Sequence, residues 1–226
     1  MKKLFFILFT GVFTFSCSSD DSSGPALSDT PLAKVEYDNS NFGIYKGVFI
    51  GSSGTVLINI NNDGFLEASL TIDGSTSIYT STESATLNSA MAGLTFTNGS
   101  NSFDFSVTAN GGDPTVSNIN ISGHPDATIV VLKEFHNVLA KCYVGSFSGD
   151  DSGLFHVVIV DAVVDGIARS NDGGSAFNTD GTLIGTTITG TFEGGTFTGT
   201  SSGNRISGSW QNSFGESGTW SGTRKL

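Results

Sequence analysis

Basic residues are scarce in this chain: ten Lys and Arg stand against 21 Asp and Glu, for a formal charge of −11 at pH 7 over 226 residues. A nucleic-acid-binding protein needs a basic footprint to displace phosphate counterions, and here the field has the opposite sign. No polybasic patch is available to hold the chain on an anionic bilayer. Only two cysteines occur, Cys17 and Cys142, which excludes a disulfide scaffold. Cys142 alternates with Val144 along an apolar stretch and reads as a buried strand thiol. The three histidines, His124, His136 and His156, have no metal-ligand spacing and read as ordinary surface or strand residues. There is no His-Glu-x-x-His and no phosphate-cradling Gly-x-x-x-x-Gly-Lys. No apolar run reaches the roughly 20 residues that a spanning helix needs.

What the sequence does have begins at the N-terminus. Lys2 and Lys3 precede an uncharged apolar run from Leu4 to Phe15, then Ser16 and Cys17. That is the layout of a signal peptide. It resembles the lipobox of bacterial lipoproteins, in which a small residue precedes a cysteine that is acylated and becomes the new N-terminus. The resemblance implies cleavage of residues 1–16 as a lipoprotein signal peptide, lipid on Cys17 and membrane attachment through that lipid. Cleavage removes two lysines and takes the charge from −11 to −13. Residues 17–35, opening Cys17-Ser18-Ser19-Asp20-Asp21 and continuing through Pro25 and Pro31, are expected to form a lipidated flexible tether, because they have no apolar period. Serine and aspartate directly after the cysteine resemble the export tag of surface lipoproteins in some Gram-negative bacteria. That likeness implies an outer-membrane, surface-exposed address.

Beyond the tether the dominant period is two, in short runs rich in Thr, Val, Ile and Phe bounded by Gly, Asn, Asp and Ser. Val56 to Ile60 runs into Asn62-Asp63-Gly64, and Phe65 to Ile72 returns before Asp73-Gly74, as in a hairpin. Ser102 to Thr108 and Thr115 to Ser122 each carry one apolar and one wet face, which predicts antiparallel sheet.

Sliding the chain by about 98 to 102 residues exposes an internal repeat. Tyr45-x-Gly47-x-Phe49-x-Gly51 lies over Tyr143-x-Gly145-x-Phe147-x-Gly149. Gly54 then matches Gly153, the strand Val56 to Ile60 matches Phe155 to Ile159, Asp63-Gly64 matches Asp165-Gly166, and Asp73-Gly74 matches Asp172-Gly173. The expected architecture is all-β, two duplicated antiparallel meander units of about eight short strands each, built as small up-and-down barrels or flattened sandwiches. The first unit covers 36–134, a linker 135–141 and the second unit 142–226. Phe135, Val138 and Leu139 suit one short helical turn in that linker. Ser209-Trp210 and Thr219-Trp220-Ser221-Gly222-Thr223 resemble the closing hairpins of Gly/Thr-rich Gram-negative surface lipoproteins, a likeness that implies a surface-exposed β domain and no activity.

Candidate site residues come from three chemistries. Trp210 and Trp220, ten apart on consecutive strands, are either core or a ligand-binding pair. Asp150, Asp151, Asp161 and Asp165 offer the hard oxygens that calcium takes, although turns demand the same residue types. Glu67 and Glu193 fall in expected strands where they could face a barrel lumen, as a glycosidase would require. No catalytic residue is assigned and no cofactor is expected apart from calcium. The expected function is a non-enzymatic binding or interaction module for a glycan, a protein or envelope material. The alternatives are a barrel carrier of a small apolar ligand, a divergent hydrolase and a structural envelope protein.

Overall fold

The computed structural model describes residues 27–226. The leader, Cys17 and the first part of the tether lie outside the described residues. Sixteen strands follow in chain order, with one 3₁₀ turn at Val35–Tyr37 and no α-helix among the described residues.

The first unit contains β1 (Gly43–Ile50), β2 (Ser53–Ile60), β3 (Leu66–Ile72), β4 (Ser75–Thr80), β5 (Met91–Asn98), β6 (Asn101–Val107), β7 (Thr115–Asn120) and β8 (Thr128–Lys133). Their order in the sheet is β7-β6-β5-β4-β3-β2-β1-β8. The last strand returns to the first, with Tyr45 opposite Lys133 and Ile50 opposite Thr128. The second unit contains β9 (Lys141–Gly149), β10 (Gly153–Val160), β11 (Val163–Ser170), β12 (Phe177–Ile184), β13 (Thr187–Phe192), β14 (Gly195–Ser202), β15 (Arg205–Asn212) and β16 (Ser217–Arg224). It is a closed barrel, sealed where β16 pairs with β9 and Trp220 lies opposite Phe147. Closure leaves this unit no free sheet edge.

Alternation produces the strands as expected. In β6, Phe103, Phe105 and Val107 are buried while Ser102, Asp104 and Ser106 are half-exposed. The repeat also holds in three dimensions. Tyr45 and Tyr143 are both buried, and Phe49 faces Gly54 across a hairpin just as Phe147 faces Gly153. One matched pair does not hold. Asp165-Gly166 lies inside β11, where Asp165 is opposite Val158 and Asp180. The turn equivalent to Asp63-Gly64 is Asp161-Ala162, with Asp161 in the left-handed region at φ 53, a conformation that Asp tolerates.

The linker forms no helical turn. Phe135 and Val138 exchange backbone hydrogen bonds of 3.3 and 3.1 Å across a tight reversal, which turns both side chains into the seam between the units. Val48, Ala140, Cys142, Val158 and Val160 form the apolar centre of that seam. All eight residues of β1 are therefore buried, one face by its own unit and the other by the second barrel. Within the segment expected as tether, residues 29–34 are docked: Leu32 N–H donates to Glu134 Oε1 at 2.6 Å, Asn62 Nδ2 donates to Leu32 O at 3.1 Å, and Asp29 meets Arg224 at 2.8 Å.

Candidate functional site

The lumen of the second barrel is not filled. Tyr143, Phe155, Val157, Ile159, Val164, Ala168, Ile188, Phe197, Ile206, Trp210 and Trp220 pack inside it. Toward one end a cavity of about 190 Å³ remains among Phe147, Phe155, Phe177, Phe192, Phe197, Trp210 and Trp220. These seven rings come from seven of the eight strands, so only a closed barrel brings them together.

Glycine makes room for the rings. A Cβ on Gly190 would stand 2.2 Å from the Phe197 ring, one on Gly195 2.1 Å from Phe192, one on Gly199 2.4 Å from Trp220 and one on Gly218 2.5 Å from Trp210. The glycine richness of this unit thus seats flat side chains against bare backbone, in addition to easing curvature. The rings meet edge-on or tilted: Phe155 and Trp220 lie 5.1 Å apart, Phe155 and Phe197 5.4 Å, and Phe147 and Trp210 5.9 Å. Both indoles are anchored, Trp210 Nε1 donating to Ser148 O at 3.2 Å and Trp220 Nε1 to Ser209 O at 3.1 Å. They retain only 8% and 3% of their surface. An exposed stacking platform is therefore not formed, and both residues reach ligand-accessible space only through the cavity that they line.

One buried polar side chain lies on the wall of this apolar space. Thr179 lines the cavity, is buried, and its Oγ1 has no hydrogen-bond partner among the described residues. Leaving a buried hydroxyl unpaired costs free energy that a ligand atom could recover. The mouth is rimmed by carboxylates, with Asp151, Glu193 and Glu216 on the cavity wall. Glu193 lies in the β13–β14 turn instead of within a strand, which puts it at the opening. Glu67 is in β3, in the other unit.

The four aspartates considered for calcium are dispersed. Asp150 and Asp151 sit in the β9–β10 turn, where Asp150 accepts from Ser217 N–H at 2.8 Å and Asp151 accepts from Ser170 Oγ at 2.9 Å. Asp161 is at the other end of β10, roughly 25 Å away at the usual rise per residue. Asp165 is mid-strand, its carboxyl pushed up to about 6 by burial and by the neighbouring Asp180 charge. No group of three or more His, Cys, Asp or Glu suited to a metal occurs among the described residues.

Other reactive residue types are packed away. Cys142 is buried and free, and burial pushes its thiol up to about 12. His156 is buried between the units, donating from Nδ1 to Phe49 O at 2.8 Å, with Nε2 unpartnered. Gly199-Thr200-Ser201-Ser202-Gly203 has the spacing of a nucleophile elbow, but it joins β14 to β15 as a hairpin, whereas that motif requires a strand-to-helix turn.

Fold and site define a tandem antiparallel β-barrel protein with an aromatic-lined cavity at one end of its second barrel. No protein-family model matches the chain, and no curated protein matches it. Among solved structures it is similar to the crystal structure of HpuA from Kingella denitrificans in complex with human haemoglobin. The two chains are 13% identical, the match covers 88% of this chain and 92% of that one, and the TM-score is 0.29.

Proposed function

We propose that this protein is a non-enzymatic binding module, carried at the bacterial outer membrane by lipid on Cys17, and that the mouth of the second barrel is its binding site. The observation that carries the reading is the unfilled aromatic lumen with the unpaired hydroxyl of Thr179. A lumen meant only for packing would close around its own side chains to native density. Cavities of this size accept a single ring, since an engineered apolar cavity of about 150 Å³ binds benzene. The reading thus joins the binding-module expectation to that of a barrel holding a small apolar group. The leader motif Lys2-Lys3 to Cys17 supports the membrane address.

The test is thermal unfolding of the folded part, from residue 27 onward, with small aromatic compounds, sugars and fatty acids. A ligand that binds only the native state raises the melting temperature. We expect a rise with single-ring compounds that is lost in Trp220→Ala. Absence of a rise with every single-ring compound overturns the site. Membrane attachment is tested separately: Cys17→Ala should release the full chain into the soluble fraction and abolish fatty-acid labelling.

A further inference from the structure

The charge around the cavity is one-sided, and this deepens the proposed reading, on which it rests. Four hairpin turns surround the mouth. They carry Asp150 and Asp151, Asp172, Glu193, and Glu216, and none contains Lys or Arg. Of the basic residues of this barrel, Lys141, Arg205, Arg224 and Lys225 are at the opposite end, while Arg169, at the mouth end of β11, pairs with Asp126 of the first unit at 3.1 Å and with no rim carboxylate. The four ion pairs among the described residues use Glu134, Asp38, Asp126 and Asp29. Among the described residues, no rim carboxylate pairs with a cation.

Aromatic faces present negative potential to a cation, and the attraction grows when the site excludes water. A low-dielectric cleft lined by one sign of charge also focuses its field at the opening. We infer that the cavity takes a small organic cation of the arylalkylammonium class. Its ring sits among Phe155, Phe197 and Trp220, and its ammonium group lies at the mouth against Glu193 and Glu216. The volume argues for a free small molecule, because about 190 Å³ holds one ring and a short arm. An aromatic body also matches the lining better than the alkyl stem of a lysine. Thr179 Oγ1, unpaired among the described residues, is available inside these walls to a polar substituent on the ring.

Matched probes separate this inference from the reading beneath it. Binding of 2-phenylethylammonium and of 2-phenylethanol is measured by tryptophan fluorescence of residues 27–226, since Trp210 and Trp220 both line the cavity. The cation should bind about tenfold more tightly, as expected for a partly desolvated cation–π and carboxylate contact. That advantage should shrink as salt rises. The double variant Glu193→Gln with Glu216→Gln changes only exposed side chains, so its unaltered melting temperature certifies the fold. It should lose most of the cation preference and keep its affinity for the alcohol. Equal binding of the two probes overturns the cation inference and leaves the site standing. Failure of both probes overturns the site itself. Tighter binding of a capped lysine peptide than of 2-phenylethylammonium overturns the choice of a free aromatic amine.

Discussion

Lys46 and Glu134 form an ion pair of 2.5 Å at the seam between the two barrels, with 2% and 0% of their side chains exposed. The same carboxylate accepts from Leu32 N–H at 2.6 Å and from Ala140 N–H at 3.1 Å. One buried group thus ties together β1, the linker and the N-terminal arm. Glu134→Ala would leave the Lys46 ammonium buried without its partner, a change that costs about 3–5 kcal/mol. Replacing both, Lys46→Met with Glu134→Gln, should recover most of that loss, because no uncompensated charge remains. Urea unfolding of the two variants beside the parent chain measures both, and the arm should become protease-sensitive in the first.

A second seam residue makes the contact between the units sensitive to acid. Burial lowers the pKa of His156 below its usual 6.5, while its bond to Phe49 O opposes the shift. The folded chain therefore refuses a proton that the unfolded chain accepts. Stability from this group is complete above about pH 6.5 and is lost as pH falls below it. Melting temperature followed from pH 7.5 to 5 should fall less steeply in His156→Gln than in the parent.

Asp165 acts with the opposite sign. Its folded pKa of about 6 lies above the ordinary aspartate value of 3.8, so the folded state binds the proton more tightly. Its contribution is complete below about pH 4 and is lost as pH rises through 6. Asp165→Asn should stabilise the protein by about 1–2 kcal/mol at pH 7.5, after discounting for partial exposure, and give no gain at pH 3.5. Chemical denaturation at the two pH values decides it.

These opposed pH effects arise from packing that no single strand announces, and the same is true of the site. The period of two and the repeated Tyr-x-Gly-x-Phe-x-Gly frame were enough to read sixteen antiparallel strands in two units. A local signal misled in β11: Asp165-Gly166 looks like a hairpin turn, yet Val163-Val164 and Ile167-Ala168 continue through it as strand, and the turn is at Asp161. Trp210 and Trp220 were legible as a pair on one hairpin. Phe147, Phe177, Phe192 and Phe197 were not, because each looks like ordinary core until closure brings β9 against β16. Glu193 and Glu216 are separated by 23 positions and become neighbours of one opening only when alternate hairpins point the same way.

The glycines beneath the rings can be tested one at a time. A Cβ at Gly190 would meet the Phe197 ring at 2.2 Å and Asp180 O at 2.6 Å, whereas nothing lies within 4 Å of one built on Gly174. Gly190→Ala should therefore destabilise the barrel by about 1–3 kcal/mol, the usual range for overpacking. Gly174→Ala should stay within about 0.5 kcal/mol of the parent, as for an unconstrained surface position. A similar result for both, in the same denaturant titration, would remove the steric role assigned to Gly190.

Thr179→Val sets stability against binding in one substitution. Thr179 Oγ1 is buried with no partner among the described residues, and replacing it with a methyl of nearly the same shape removes that penalty. The variant should gain about 1 kcal/mol in unfolding free energy. If the hydroxyl is held unpaired for a ligand, the same variant should bind 2-(4-hydroxyphenyl)ethylammonium, whose ring hydroxyl can reach the interior, several-fold more weakly by the loss of one hydrogen bond, and 2-phenylethylammonium unchanged. A residue serving packing alone would move only the first quantity. A gain in stability with unchanged affinity for both amines would therefore assign Thr179 to the core and leave recognition to the rings and the acidic rim.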